Sequence, residues 1–125
     1  MLHELLVVTK ALADEHRLRM LGCLHHRELY ACHFRELFQI SASTVCKHLT
    51  ILRQAQLIRA RRTGRWVRYR LAVATAPRAA QDAIQWVLED INTDIQVVED
   101  LKRIAEFQNV DPADLGLRQR RTRRP

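Results

Sequence analysis

Apolar positions recur at helical spacing from the start of the chain. Leu2, Leu5, Leu6, Val8 and Leu12 predict a short first helix over Leu2 to Ala13. Asp14 is placed to cap a second helix running to about His25, with Leu18, Leu21 and Leu24 at helical intervals. A third short helix is expected over Ala31 to Phe38, then a turn at Gln39-Ile40-Ser41 with Ser41 as the next N-cap. A fourth helix follows over Ala42 to Gln54, where Val45, Leu49 and Leu52 form one buried stripe. Its opposite face holds Ser43, Lys47 and Thr50, with Thr44 and Cys46 at the shoulders. An ordinary solvent-facing helix carries Glu and Lys pairs there; this one carries short or polar side chains.

The period then drops from 3.6 to 2. Leu57 to Arg62 and Arg65 to Ala72 alternate, with Val67, Tyr69 and Leu71 on one face and Trp66, Arg68 and Arg70 on the other. Thr63-Gly64 reads as the two-residue loop of a β-hairpin. Beyond Pro77 helical spacing returns through Ala80, Ala83, Ile84, Val87, Leu88 and Ile91. Thr93 or Asp94 then recaps a helix carrying Ile95, Val98, Leu101 and Ile104. The expected fold is mostly α with a small β-hairpin wing, a winged helix-turn-helix. Residues 1–110 form that domain. Residues 111–125, with Pro112, Gly116 and an arginine run, read as a basic disordered tail. The first and C-terminal helices hold more apolar surface than a monomer of this size covers, which points to a homodimer.

Charge sharpens this picture. The chain has 125 residues with 21 Lys+Arg against 14 Asp+Glu, a net charge of +7, which favours a polyanionic partner. Arg118, Arg120, Arg121, Arg123 and Arg124 crowd the end of the chain; Arg59, Arg61, Arg62, Arg65, Arg68 and Arg70 crowd the hairpin. Double-stranded DNA is the expected partner. The recognition set is Ser41, Ser43, Thr44, Cys46, Lys47 and His48 on the fourth helix, with Arg61, Arg62 and Arg65 on wing phosphates. Tyr69 and Trp66 keep base stacking, and so an RNA-binding module, as an alternative. A winged-helix protein-interaction module is another. No apolar run approaches the roughly 20 residues of a membrane span. The opening Met1-Leu2-His3-Glu4 lacks a signal-peptide pattern, and three cysteines do not form a disulfide framework. A cytoplasmic protein without membrane association is expected. There is no phosphate-cradling Gly loop, no His-Glu-x-x-His and no Cys-x-x-Cys, so the chain does not read as an enzyme.

Three stretches resemble the ArsR/SmtB winged-helix repressors. Ala11-Leu12-Ala13-Asp14-Glu15-His16-Arg17-Leu18-Arg19-Met20-Leu21 looks like their opening signature, and Ser43-Thr44-Val45-Cys46-Lys47-His48-Leu49 their recognition helix. Gly64-Arg65-Trp66-Val67-Arg68-Tyr69-Arg70-Leu71 resembles their wing. The resemblance implies a transcriptional repressor, a homodimer paired through its first and C-terminal helices on a pseudo-palindromic operator, released by a metal or metalloid; oxidation of Cys46 on the DNA-facing side of the fourth helix would be a redox signal for release. The metal sites, however, depart from the family pattern. Arsenic-sensing members carry Glu-Leu-Cys-Val-Cys where this chain has Glu28-Leu29-Tyr30-Ala31-Cys32-His33, so Tyr30 replaces the first thiol and Cys32 is the single candidate ligand. Members that sense zinc on the fifth helix need His there, and Asp82 to Asp100 contains none. The effector stays unknown, its site degenerate, and trivalent arsenic is expected to be a poor inducer. Cys23 and His26 share a helical face, a pattern more often met as a buried thiol and a surface imidazole.

Overall fold

The computed structural model describes residues 1–122 and holds seven helices and one small sheet among them. In chain order these are α1 (Leu2–Leu12), α2 (Glu15–Leu24), β1 (Leu29–Tyr30), α3 (Ala31–Phe38), α4 (Ala42–Gln54), β2 (Ile58–Thr63), β3 (Trp66–Leu71), α5 (Arg78–Ile91), α6 (Ile95–Phe107) and α7 (Pro112–Thr122). The capping residues read from sequence hold their helices, and of Thr93 and Asp94 it is Asp94 that caps α6, accepting the Gln96 N–H at 2.9 Å. The Asp14 carboxylate accepts the Arg17 N–H at 3.1 Å and the Ser41 hydroxyl accepts the Thr44 N–H at 3.2 Å. Between α3 and α4 the chain turns at Gln39, whose φ of 56° is left-handed and whose N–H bonds the Arg35 carbonyl. That tight reversal sets α4 across α3.

The interior is assembled from one face of each element. Met20 and Leu21 of α2, Phe34 of α3, Leu49 of α4, Ile58 of β2 and Ile104 of α6 are all fully buried. At Gly22 an added Cβ would lie 2.9 Å from Val97 and 3.2 Å from Ile91, so only glycine lets α2 approach this closely.

Several expectations are corrected. The sheet has three antiparallel strands in the order β1-β3-β2, because Leu29 and Tyr30 pair with Tyr69 and Arg68. The hairpin loop is Gly64-Arg65, one residue later than Thr63-Gly64. Thr63 pairs with Trp66, and Gly64 takes φ +62°, which a tight hairpin turn needs. In α6 the inward stripe is Val97, Asp100, Ile104 and Phe107, whereas Ile95 is 82% exposed. The expected disordered tail is a helix through Thr122. Leu115 is fully buried and Gln119 donates to the Cys32 carbonyl at 2.8 Å, so α7 is held on α3. Arg123 and Arg124 lie outside the described residues.

Candidate nucleic-acid interface

The outward side of α4 is built as its sequence implies. Val45, Leu49 and Leu52 anchor the helix in the core, and Ser43, Thr44, Cys46, Lys47 and Thr50 are exposed. The hydroxyls at its N-terminus form a local cluster, Ser41 Oγ lying 2.8 Å from Thr44 Oγ1 and 3.1 Å from Ser43 Oγ. Lys47 has no carboxylate partner among the described residues. The result is a smooth polar ridge that presents the Lys47 ammonium, with the capped start of the helix at its end.

The arginines of the wing divide by what holds them. Arg59 donates to Thr75 Oγ1 and to the Thr75 carbonyl at 3.1 and 3.0 Å and is turned away from the wing tip. Arg68 donates to the Tyr30 hydroxyl at 3.0 Å, lies 3.6 Å from a Glu28 carboxylate oxygen, and stands over the Tyr30 ring. Arg61 is 3.9 Å from the same carboxylate but exposed, and Arg62 bonds the Gly64 carbonyl. Arg65, in the loop, is exposed with no partner among the described residues. Arg61, Arg62 and Arg65 therefore stay reachable at the wing tip. Glu28 and Tyr30, which lie far from the hairpin in sequence, set which arginines do.

His48 departs from its expected place. Only 12% of its side chain is exposed, and the ring turns back toward α2. Its Nδ1 lies 3.0 Å from Arg17 Nη1 and 3.9 Å from Asp14 Oδ1. Burial lowers its pKa, and the Arg17 charge adds to this against the opposing pull of Asp14. Arg17 also donates to the α1 carbonyls of Ala11 and Lys10 at 2.7 and 3.1 Å. His48 is thus a positioning residue, joining α4 to α2 and, through Arg17, to the end of α1. Sequence reasoning missed Arg17, although it lies within a stretch singled out there.

The stacking alternative loses its residues to packing. Tyr69 packs on the core and Trp66 meets Tyr30 edge to face at 6.4 Å. The thiols do not make a soft-metal centre. Burial pushes Cys23 up to about 12 and Cys32 up to about 11, so both stay protonated at neutral pH. Cys32 and the exposed Cys46 line one cavity of about 210 Å³ with Trp66, Gly116 and Arg120. Among the described residues no set of three ligating side chains includes Cys32.

On the opposite flank, Leu2 is 73%, Leu5 52%, Leu6 46% and Trp86 of α5 62% exposed. Leu2, Leu5, Val8, Leu12, Ala83 and Trp86 line an open groove of about 920 Å³ between α1 and α5.

This arrangement, a small-residue helix beside a basic β-hairpin, defines a winged helix-turn-helix regulator. No protein-family model matches the chain. Over 85 residues it is 35% identical to the transcriptional repressor SdpR of Bacillus subtilis, covering 68% of this chain and 90% of that one. It is 44% identical over 62 residues to the SmtB repressor homolog of Synechocystis, about half of each chain. Among solved structures, HlyU from Vibrio cholerae superposes with a TM-score of 0.58 at 26% identity, covering 70% of this chain and 90% of HlyU. The homodimeric winged helix-turn-helix DNA-binding domain of Mb0332 from Mycobacterium bovis, a possible ArsR-family regulator, gives 0.59 at 27% identity over 79% and 81%. The chain belongs to the ArsR/SmtB family of winged helix-turn-helix transcriptional repressors.

Proposed function

We propose that this repressor binds duplex DNA in the cytoplasm as a homodimer, with each α4 in a major groove and each wing along the flanking backbone. The observation that carries the reading is the exposed α4 ridge, with Lys47 unpaired at its centre and Arg65 unpaired at the adjoining wing tip. Short side chains allow the helix to approach base edges, and Lys47 supplies a contact to a base or phosphate. Ser43, Thr44 and Cys46 flank that contact, and Ser41 presents the helix start. Arg61, Arg62 and Arg65 fit phosphates, which position the protein without reading sequence. Arg120 of α7 borders the same cavity as Ala42 and Cys46, so the basic C-terminal helix lies near the start of α4 and adds to the phosphate contacts. The α1/α5 groove, apolar and open, is the surface a second copy would cover. That the similar Mb0332 domain is homodimeric supports a dimer.

The test selects a duplex from a random pool by binding to the wild-type protein, then measures fluorescence anisotropy across a salt series. Lys47→Ala is expected to weaken the selected site by about 1–3 kcal/mol if it reads a base. Arg65→Ala should weaken all sequences alike and reduce the salt slope by about one. Unchanged affinity in both variants would remove this face as the DNA-binding surface.

A further inference from the structure

The residues that hold α4 against α2 include a donor set that DNA binding does not use. Asp14 caps α2, His16 lies in its first turn, and His48 comes from the middle of α4. One ligating atom from each lies within 4.8 Å of the other two. The His16 and His48 rings meet edge to face with centroids 5.6 Å apart, and the His16 ring also rests on Phe38 at 4.7 Å. No hydrogen bond engages a His16 ring nitrogen among the described residues, so its lone pair is available. All three side chains are partly buried, with 12% of the His48 and 33% of the Asp14 side chain exposed.

We propose that Asp14, His16 and His48 form a binding site for a divalent transition-metal ion of the zinc class, bridging the start of α2 and the recognition helix. Two imidazoles and a carboxylate are the donors that zinc and its neighbours prefer, and this set holds no soft thiolate. Donors bound to zinc at ~2.0–2.1 Å stand about 3.3–3.5 Å apart. Small side-chain rotations therefore close the set around an ion, and water takes the remaining position. A cation already sits against these groups. The Arg17 guanidinium occupies the His48 Nδ1 lone pair at 3.0 Å and lies 4.0 Å from Asp14. An entering ion takes His48 from Arg17, which keeps its bonds to the carbonyls of Ala11 and Lys10. The exchange unlinks α4 from the end of α1 and keeps it tied to α2, now through Asp14 and His16. Its consequence, an altered DNA affinity on metal binding, rests on the DNA-binding reading; the site itself does not.

The experiment titrates Co²⁺ into the full chain, following its ligand-field absorption, and then displaces it with Zn²⁺. One Co²⁺ per chain with an intense low-coordinate band is expected. Asp14→Asn keeps the helix cap and removes the charge. That variant, His16→Gln and His48→Gln should each lower the affinity more than tenfold. Arg17→Met, which removes the competing cation, should tighten binding, an effect that general loosening of the fold would not produce. A His25→Gln/His26→Gln double variant should bind as wild type does. Circular dichroism checks that each variant is folded; if His48→Gln is not, Asp14→Asn and His16→Gln decide. Absence of binding by wild type, or equal binding by these variants, overturns the site. Anisotropy with the selected duplex, with and without Zn²⁺, is the second arm. Metal binding that leaves DNA affinity unchanged keeps the site and overturns its coupling to α4. Failure to bind any duplex even without metal would instead count against the DNA-binding reading.

Discussion

Arg17 and Arg19 leave α2 two positions apart and meet different kinds of partner. Arg19 grips Asp100 of α6 with two parallel bonds, Nε to Oδ2 at 2.8 Å and Nη2 to Oδ1 at 2.7 Å. Gln96 donates to the same carboxylate at 3.1 Å, and the guanidinium stands 4.8 Å from the Phe38 ring centroid. The Asp100 side chain is 1% exposed. Arg17, by contrast, faces two backbone carbonyls and an uncharged imidazole nitrogen, with its nearest carboxylate only at 4.0 Å. Parting the bidentate pair strands the Asp100 carboxylate in the core, whereas the bond from Arg17 to a neutral ring, between two side chains each 12% exposed, can be exchanged without stranding a carboxylate. The joint between α2 and α6 is therefore the fixed one, and the joint between α2 and α4 is the replaceable one.

The sharpest way to break this contrast is Arg19→Met. It leaves the Asp100 carboxylate buried with only Gln96 beside it, and the expected cost is about 3–5 kcal/mol in a urea unfolding experiment. Adding Asp100→Leu should restore most of the loss, since an apolar pair of similar volume avoids the desolvation penalty altogether. A cost below about 1 kcal/mol for Arg19→Met alone would place this pair with ordinary surface bridges and end the distinction.

The same contrast marks where sequence reading succeeds. Asp14 and Ser41 were legible as caps, and α4 as a helix with one apolar stripe, because each depends on residues within one or two turns. Asp100 was not legible as a core residue, since its partner Arg19 lies 81 positions away. A periodicity that assigns polar residues outward instead turned Ile95 and Val98 inward. His48 sits beside Lys47 in sequence and so reads as part of the DNA face, yet its orientation is set by Arg17 and Asp14 of another helix. The composition of residues 111–125 suggests a tail because the contacts that order its helix, Leu115 in the core and Gln119 on Cys32, are made with distant segments. The short strand β1 has no pattern of its own and exists only through β3.

His33 of α3 extends the comparison to a buried polar group with one partner. Its Nδ1 accepts the Tyr30 N–H at 3.0 Å, while its buried Nε2 has no partner among the described residues. Burial pushes its pKa down to about 4, so the fold holds the ring neutral. The unfolded chain takes up this proton near 6.5. The stability contributed by the neutral ring is thus fully present above about pH 6.5 and is lost as pH falls toward 4, by on the order of 3 kcal/mol. His33→Phe should remove that part of the acid sensitivity, read as a flatter difference between unfolding free energies at pH 7 and pH 4.5. Parallel curves for wild type and variant would mean that His33 is protonated inside the fold at little cost.

The smallest expected effect belongs to Arg17, and its smallness is what the exchangeable joint requires. Arg17→Met removes hydrogen bonds to Ala11, Lys10 and His48; the exposed Lys10 carbonyl can turn to water, the carbonyl of the fully buried Ala11 loses a partner, and the imidazole is left neutral. No charge is stranded, so the cost should be about 1–2 kcal/mol, the scale of neutral hydrogen bonds and below that of Arg19→Met. The informative measurement is a pair of readings on one variant: unfolding free energy by urea, and amide hydrogen exchange in α4 and α6. The exchangeable joint predicts faster exchange confined to α4, with α6 unchanged because Arg19 and Asp100 still hold it. A loss as large as that of Arg19→Met, or faster exchange spread over both helices, would show that the two arginines belong to one cooperative joint. Helix α4 would then have no separate freedom for a bound ion to restrict.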